Sequence, residues 1–217
     1  MYAELDHIKL YYEVCGQGRP IILLHGNGED LKIFGKLTEG LQKTCKVYAI
    51  DSRCHGKSQD TPEISYDLMA DDVIEFIKKK NMEQPVLYGY SDGGIVGLLV
   101  AIREPELLSK LIISGANLEP SGMKGATLAW CRLVYLFNRN KLYKMMLTQP
   151  HIQTAQLKKI KIPVHVLAGE KDVIRSEHTK KIADSIPDST LEILPGEDHG
   201  SYIVNSEKIF HIIKKYL

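Results

Sequence analysis

Short apolar runs recur along the chain and are separated by longer segments whose apolar residues follow a helical spacing. The alternating stretch IKLYYEV, residues 8–14, predicts an antiparallel strand, and the continuous apolar run in RPIILLHG, residues 19–26, predicts a strand covered on both faces. Further strands are predicted in CKVYAID, QPVLYGY, LLSKLIISG, KIPVHVLAGEKD and STLEILPGEDHG. Continuous runs of this kind are typical of parallel sheets.

Helical spacing fills most of the segments between these strands. The segment from Asp30 to Lys43 has this spacing and begins with an aspartate that can cap the first turn. Other helices are predicted in YDLMADDVIEFIKKK, SDGGIVGLLVAIREP, SEHTKKIADSI and NSEKIFHIIKKYL. This alternation of strand and helix predicts the α/β class, with a mostly parallel sheet and helices on both of its faces.

The alternation is interrupted between residues 117 and 162. This segment has no strand-like run and is rich in aromatic and methionine side chains: Met123, Trp130, Tyr135, Phe137, Tyr143, Met145 and Met146. We expect one or two helices there, inserted between successive strands as a small cap on a single domain, residues 1–217. Two interpretations of the apolar side chains stay open. Met123 and Trp130 line a substrate pocket, or these side chains form the cap's own core.

Composition excludes several classes of function. The chain has 217 residues, 28 basic and 27 acidic, and its basic residues are spread out, so we expect no nucleic-acid partner. No stretch approaches the roughly 18 apolar residues of a membrane span, and the first residues lack the apolar segment of a signal peptide. Four separated cysteines without C-x-x-C spacing favour free thiols over a disulfide framework or a zinc site. The expected location is the cytoplasm.

A serine flanked by glycines lies between a predicted strand and a predicted helix. Gly89, Ser91 and Gly93 form the pattern G-x-S-x-G, which is a weak signal alone and a specific one in this position. In a nucleophile elbow the chain turns so sharply that side chains two residues either side of the serine would collide, and glycine removes that collision. Ser91 is therefore predicted to be a nucleophile, exposed above the carboxyl edge of the sheet and at the positive end of a helix.

A serine hydroxyl needs a base, and the base needs an acid that orients it. For this topology the expected chain order is serine, acid, histidine. Among the later histidines, only His199 stands in a loop after a predicted strand. Asp172 follows the predicted strand in KIPVHVLAGEKD and is the candidate acid. Glu170 is the nearest alternative. Asp198 is a weaker one, because the side chains of adjacent residues such as Asp198 and His199 point apart. The three positions together predict a catalytic triad of Ser91, Asp172 and His199.

The segment HGNG, residues 25–28, directly follows an early buried strand, from which a backbone NH can reach the nucleophile. The two NH groups of an oxyanion hole must point at the same developing negative charge, and flanking glycines let the backbone come close. We expect the NH groups of Asn27 and Asp92 to form this hole. His25 is expected to shape the loop rather than to act as a base.

Together these motifs resemble the α/β-hydrolase family over nearly the whole chain. HGNG, DSRCHGKS, GYSDGG, GEKD and the DHG loop match its recurring motifs in order. The resemblance implies an eight-stranded, mostly parallel sheet, a cap after the sixth strand, and Ser91, Asp172 and His199 as the catalytic triad. It is greatest to the branch with biphenyl-hydrolase-like and small-ester hydrolases, where an aspartate after the serine is known.

Two departures from the family pattern bear on the chemistry. Cys54 stands where the motif D-x-R-G-H-G-x-S usually has glycine. We interpret it as a tolerated loop variant, and a reactive thiol near the site is the alternative. The cap, residues 117–162, is also short, which predicts an open and shallow acyl pocket.

The expected function is hydrolysis of a small to medium carboxylic ester through an acyl-enzyme on Ser91, without a metal or organic cofactor. A serine at the elbow disfavours dehalogenase and epoxide-hydrolase chemistry, which needs a carboxylate nucleophile. Thioesters, lactones, aminoacyl esters and the C–C bond of vinylogous diketones are alternatives, because their cleavage uses the same groups. A ligand-binding protein with little turnover is the alternative outside the enzymes.

Asp92 has two interpretations of its own. A carboxylate in the first turn of a helix is favoured by the helix dipole, by about 0.3 to 1 kcal/mol at an exposed site. Alternatively, Asp92 projects into the pocket and pairs with a cation, such as the ammonium group of an aminoacyl ester. The first interpretation is preferred.

Overall fold

Eight strands form one sheet in the computed structural model, which describes residues 1–217. The strands are β1 (Tyr2–Glu4), β2 (Lys9–Cys15), β3 (Arg19–Leu24), β4 (Cys45–Ile50), β5 (Val86–Tyr90), β6 (Lys110–Ser114), β7 (Val164–Gly169) and β8 (Ser189–Leu194). Their order is β1-β2-β4-β3-β5-β6-β7-β8. The β1–β2 and β2–β4 pairs are antiparallel and the other five are parallel. The predicted mostly parallel α/β sheet is confirmed.

The centre of this sheet is buried because its strands are apolar on both faces. Every residue of β5 is buried, and so are the last four residues of both β3 and β4. All strands predicted from the pattern are present. The remaining strand, β1, was not predicted from the pattern, because only Ala3 of its three residues is buried and so short a segment shows no period.

Helices cover both faces of the sheet. They are α1 (Gly35–Leu41), α2 (Tyr66–Lys79), α3 (Asp92–Arg103), α4 (Gly125–Asn138), α5 (Lys141–Thr148), α6 (Thr154–Leu157), α7 (Ser176–Ser185) and α8 (Lys208–Ile213). Apolar residues of α1 and α8 pack on one face, and those of α2, α3 and α7 pack on the other. Asp30 accepts a hydrogen bond from the NH of Lys32, as expected of a cap, although the first turn, Leu31–Phe34, is a 3-10 helix.

The segment between β6 and β7 contains α4, α5 and α6, and we call residues 117–162 the cap. Each of its two longer helices has a single buried residue, which is Cys131 in α4 and Met145 in α5. None of the helices in the protein combines the length and the apolar character needed to cross a membrane.

The parallel strands bring several loops to one edge of the sheet. The loops that follow β3, β5, β7 and β8 all leave from the carboxyl end of their strands. These loops carry Asn27, Ser91, Asp172 and His199 respectively. Ligand sites in open α/β sheets lie at this edge, so these four residues are candidates for a functional site.

Candidate active site

Ser91 lies in a strained turn between β5 and α3. Its φ angle of 52° is in the left-handed region that residues other than glycine rarely adopt. The turn is held by the NH of Ser91, which donates to the carbonyl of Ser114 at 2.7 Å. A Cβ atom on Gly89 would strike the carbonyl of Gly93, and one on Gly93 would strike the carbonyl of Leu24. The steric reason predicted for these two glycines is confirmed.

The structure brings Ser91, His199 and Asp172 into hydrogen-bond contact. His199 Nε2 lies 3.1 Å from Ser91 Oγ, and His199 Nδ1 lies 2.7 Å from Asp172 Oδ1. Because a carboxylate only accepts, Nδ1 carries the proton and Nε2 is left to accept from the serine hydroxyl. The NH of Ile174 donates to the same oxygen of Asp172 at 2.8 Å and fixes the carboxylate. Such a chain can deprotonate Ser91 as it attacks an electrophile.

The two rival acids have other partners. Glu170 is exposed and accepts from the NH of Gly196 at 2.8 Å. Asp198 accepts from two backbone NH groups of its own turn, and these hydrogen bonds lower its pKa. Asp198 therefore shapes the loop that carries His199. Of the three carboxylates considered, only that of Asp172 contacts the imidazole.

The HGNG loop and the start of α3 meet beside Ser91. A Cβ atom on Gly26 would lie 3.1 Å from Ser91 Cβ, so the loop passes directly next to this serine. The NH of Asn27 donates to no protein group. The NH of Asp92 is at the first position of α3, where the helix itself offers no carbonyl partner. Both NH groups are therefore available to an oxygen atom from outside the protein.

The carboxylate of Asp92 is buried, so the helix-dipole energy quoted for an exposed site does not apply to it. Asp92 is 2% exposed. One of its oxygens accepts from the Tyr66 hydroxyl at 2.7 Å, and the other accepts from the side-chain amide of Asn27 at 3.0 Å. Burial raises the pKa of Asp92, and the two hydrogen bonds partly offset this effect. The carboxylate is held by two partners that are distant in sequence, in addition to any effect of the helix dipole.

His25 joins two loops of the site. Its Nε2 accepts from the NH of Ser52 at 3.0 Å, and its Nδ1 donates to the carbonyl of Gly26 at 2.8 Å. An imidazole that accepts at one nitrogen and donates at the other is neutral. Burial lowers the pKa of His25 to about 4. His25 thus shapes the HGNG loop, as the sequence predicted.

A cavity of about 260 Å³ adjoins Ser91 and His199. Met123 and Trp130 both contribute to its wall, so the cap covers it with apolar side chains. The acidic residues of its wall are Glu29 and Asp92, and no lysine or arginine lines it. No group of three or more histidine, cysteine, aspartate or glutamate side chains in the protein is placed to hold a metal ion.

Glu29 and Tyr66 are among the residues of this wall that the sequence did not predict. Glu29 accepts from the NH of Gly26 at 3.0 Å, and burial raises the pKa of Glu29. Because Glu29 follows Gly26 by only three residues, the local sequence could have indicated this hydrogen bond. Tyr66, the first residue of α2, reaches Asp92 only through the tertiary fold, and no local pattern marks it.

Comparison with known proteins agrees with this fold. The family model described as "alpha/beta hydrolase fold" matches residues 19–140, which is more than half of the chain. The chain belongs to the alpha/beta hydrolase family. The matched range includes Asn27, Ser91 and Asp92 and ends before Asp172 and His199.

Two relatives within the alpha/beta hydrolases differ in how much of them the chain covers. The AB hydrolase superfamily protein YisY of Bacillus subtilis is 26% identical in an alignment that covers 97% of this chain and 96% of that protein. The sn-1-specific diacylglycerol lipase ABHD11 of Danio rerio is 33% identical over 119 residues, which cover 52% of this chain and 37% of that protein. The chain therefore spans little more than a third of the length of that lipase.

A solved alpha/beta hydrolase structure shares the fold over its full length. The esterase EaEST from Exiguobacterium antarcticum superimposes with a TM-score of 0.85 at 20% sequence identity, covering 99% of this chain and 98% of that one. Likeness at this level of identity shows a common fold and no more.

The backbone of Cys54 explains why this position of the alpha/beta hydrolase motif usually holds glycine. Its φ angle is 62°, in the region that favours glycine. The sulfur lies 3.3 Å from Thr61 Oγ1, and Cys54 does not line the cavity. The thiol that does line the cavity is that of Cys131, and burial raises its pKa, which disfavours the reactive thiolate. The structure thus fits the interpretation of Cys54 as a loop variant.

Proposed function

We propose that the chain is a serine hydrolase that cleaves carboxylic esters with small to medium acyl groups. The observation that carries this proposal is the continuous contact from Asp172 through His199 to Ser91 at the edge of the cavity. Ser91 acts as the nucleophile, His199 as the general base, and Asp172 as the acid that orients the imidazole. The NH groups of Asn27 and Asp92 bind the oxyanion.

The reaction has two steps, each of which uses His199 twice. His199 takes the hydroxyl proton as Ser91 Oγ bonds to the carbonyl carbon, and the carbonyl electron pair moves to the oxygen held by the two NH groups. Collapse of this intermediate breaks the ester C–O bond, and His199 gives its proton to the departing alcohol. His199 then deprotonates a water molecule, whose oxygen bonds to the acyl carbon. The bond from that carbon to Ser91 Oγ breaks, His199 gives its proton to Oγ, and the carboxylic acid leaves.

The cavity supports a small substrate without a negative charge. Its volume of about 260 Å³ is close to the lower end of the usual range for ligand pockets, about 300 to 1,000 Å³. The carboxyl groups of Glu29 and Asp92 would oppose an anionic acyl group, and no cation in the wall offsets them. The name of the Danio rerio lipase also denotes ester cleavage, which supports an ester as the bond that is broken.

A reactive probe and a chromogenic substrate test the proposed nucleophile. The wild-type protein is incubated with a fluorophosphonate and with short-chain nitrophenyl esters, beside Ser91→Ala and Ser176→Ala. We expect Ser91→Ala to abolish labelling and to lower hydrolysis by about a thousandfold or more. Ser176→Ala, at an exposed serine outside the cavity wall, should retain both. Hydrolysis that persists unchanged without the Ser91 hydroxyl would contradict the proposal and favour a ligand-binding function.

A substrate series then ranks the alternative bonds. Neutral esters of increasing acyl length are compared with thioesters, lactones, aminoacyl esters and a vinylogous diketone. We expect the highest kcat/KM for neutral esters with small to medium acyl groups. A higher value for one of the other classes, still dependent on Ser91, would retain the serine hydrolase and replace its substrate.

A further inference from the structure

The side of α4 that faces water is apolar. Its large exposed side chains are Trp130, Leu133, Leu136 and Phe137, with exposed fractions of 61%, 47%, 62% and 83%. Their spacing of three and four residues puts them on one side of the helix, and the exposed Ala126 and Ala129 extend that side. The one buried residue of α4, Cys131, comes from a different side. An amphipathic helix usually turns its apolar side inward, so this face lacks its partner.

Four exposed cations frame this apolar face. Lys124 directly precedes the first turn of α4, and Arg139 directly follows its last turn. Arg132 lies within α4 beside the apolar side, and Lys144 belongs to the neighbouring α5. None of the four forms an ion pair. Their charges are therefore free to meet an anionic surface.

The whole cap is basic, although the chain is close to neutral. Residues 117–162 contain eight lysines and arginines and one acidic residue, Glu119, whereas the rest of the chain contains 20 basic and 26 acidic residues. Two copies of the chain that met through α4 would bring like charges together, which disfavours a homodimer. A layer of phosphate groups over hydrocarbon offers opposite charge to the cations and an apolar medium to the large side chains.

We propose that α4 docks on the surface of a bilayer that contains anionic phospholipids. The helix lies in the plane of the interface, with Leu136 and Phe137 among the upper acyl chains and with Arg132 and Arg139 at the phosphates. The attachment is peripheral, since no helix of the protein is long and apolar enough to cross the bilayer. Trp130 belongs to both the exposed face and the cavity wall, so docking brings the cavity next to the lipid.

Trp130 is the chain's one tryptophan and reports on docking directly. The protein is titrated with vesicles of phosphatidylcholine alone and with vesicles of equimolar phosphatidylcholine and phosphatidylglycerol. Tryptophan emission and co-flotation are followed. We expect a blue shift and flotation with the anionic vesicles, little of either with the neutral ones, and weaker binding when salt is added.

The apolar contribution is tested by Leu136→Ser combined with Phe137→Ser. Both side chains are exposed, so the fold is expected to survive, and circular dichroism checks this. Partitioning into the anionic vesicles should weaken about tenfold or more. The matched control is Ile193→Ser, which removes an exposed apolar side chain from β8 and should bind as the wild type does.

The charge contribution is tested by Arg132→Gln combined with Arg139→Gln. Partitioning into the anionic vesicles should again weaken about tenfold or more, because each cation near an anionic surface contributes to binding. Lys180→Gln combined with Lys181→Gln removes two exposed cations from α7 and is the matched control. Equal losses in both double variants would mean that net charge alone acts, and would overturn the assignment to α4.

Three results overturn the proposal outright. They are the absence of a blue shift with anionic vesicles, equal binding to both kinds of vesicle, and a lipid-free blue shift that accompanies a doubling of molecular mass. The last would assign the face to a second copy of the chain. Ser91→Ala is expected to bind vesicles as the wild type does, so the docking proposal and the proposed hydrolase function are tested independently.

Discussion

The side-chain amide of Asn27 donates a hydrogen bond to the carboxylate of Asp92 at 3.0 Å. This bond joins the two residues whose NH groups are proposed to bind the oxyanion. The second oxygen of Asp92 accepts from the Tyr66 hydroxyl at 2.7 Å, and the residue is 2% exposed. A carboxylate so occupied is suited to fixing the distance between the HGNG loop and α3.

Asp92→Ala is therefore expected to lower kcat by about tenfold to a hundredfold, since a hydrogen bond to a charged group contributes about 1.5 to 3 kcal/mol. The loss should be the same for neutral and aminoacyl esters, with little change in KM, because the oxyanion is common to both. Steady-state kinetics on paired substrates measure it. Asp92→Asn and Tyr66→Phe, which keep part of the network, should lose less. A loss confined to aminoacyl esters would instead assign Asp92 to amine binding.

The glycines of the elbow are expected to tolerate no side chain. Gly89→Ala places a Cβ against the carbonyl of Gly93, and only a movement of the backbone can relieve this clash. The substitution should therefore lower the free energy of unfolding by about 3 kcal/mol or more. Urea unfolding followed by circular dichroism measures this change. Gly125→Ala is the matched control, because a Cβ there meets nothing within 4 Å and Gly125 begins α4. Equal midpoints for the two variants would contradict the sharp turn at Ser91.

Cys54→Gly is expected to raise the free energy of unfolding by roughly 0.5 to 1 kcal/mol. A left-handed residue with a Cβ costs about 1 to 2 kcal/mol, and the greater freedom of glycine in the unfolded chain offsets part of the gain. Thermal and urea unfolding measure it. Cys54→Ala removes the same thiol but keeps the Cβ, so it should show no gain. A gain in both variants would attribute the effect to the sulfur and its contact with Thr61.

The parts of the site that could be predicted depend on local sequence and on strand order. Gly89 relieves a clash with the carbonyl of Gly93, within the same five residues, so its role is visible in the local sequence. Asp172 and His199 each follow a predicted strand, and parallel strands bring such positions to one edge. The contact among these three residues could therefore be expected without knowing how the helices pack.

The parts that could not be predicted depend on contacts between distant segments. The burial of Asp92 requires Tyr66 and Asn27, which are 26 and 65 residues away in the chain. The apolar residues of α4 have the period of a helix, but a period does not show which side faces the protein. The sequence therefore predicted Trp130 either in the core of the cap or in the wall of a pocket. In the structure, Trp130 lines the cavity and is also exposed on the surface.

His25 is expected to make the stability of the protein depend on pH between about 6.5 and 4. Its pKa is 6.5 when unperturbed and about 4 in the folded protein, because burial disfavours the cation. The unfolded chain therefore binds more protons in this window, so the contribution of His25 is complete above pH 6.5 and is lost as the pH falls towards 4. The total loss is roughly 3 kcal/mol, because the pKa of His25 falls from 6.5 to about 4 on folding.

Urea unfolding at a series of pH values measures this contribution as the difference between the wild type and His25→Gln. The variant lacks the titrating group, so its stability should fall less steeply between pH 6.5 and 4, whatever its absolute stability. His151→Gln, at an exposed histidine, should keep the wild-type slope. Some slope should persist in His25→Gln, because burial also lowers the pKa of His178, whose Nε2 accepts from the NH of Leu118. If the stability of His25→Gln falls with pH as steeply as that of the wild type, this prediction is wrong. His25 would then not be kept neutral by its burial and by the hydrogen bond that its Nε2 accepts from the NH of Ser52.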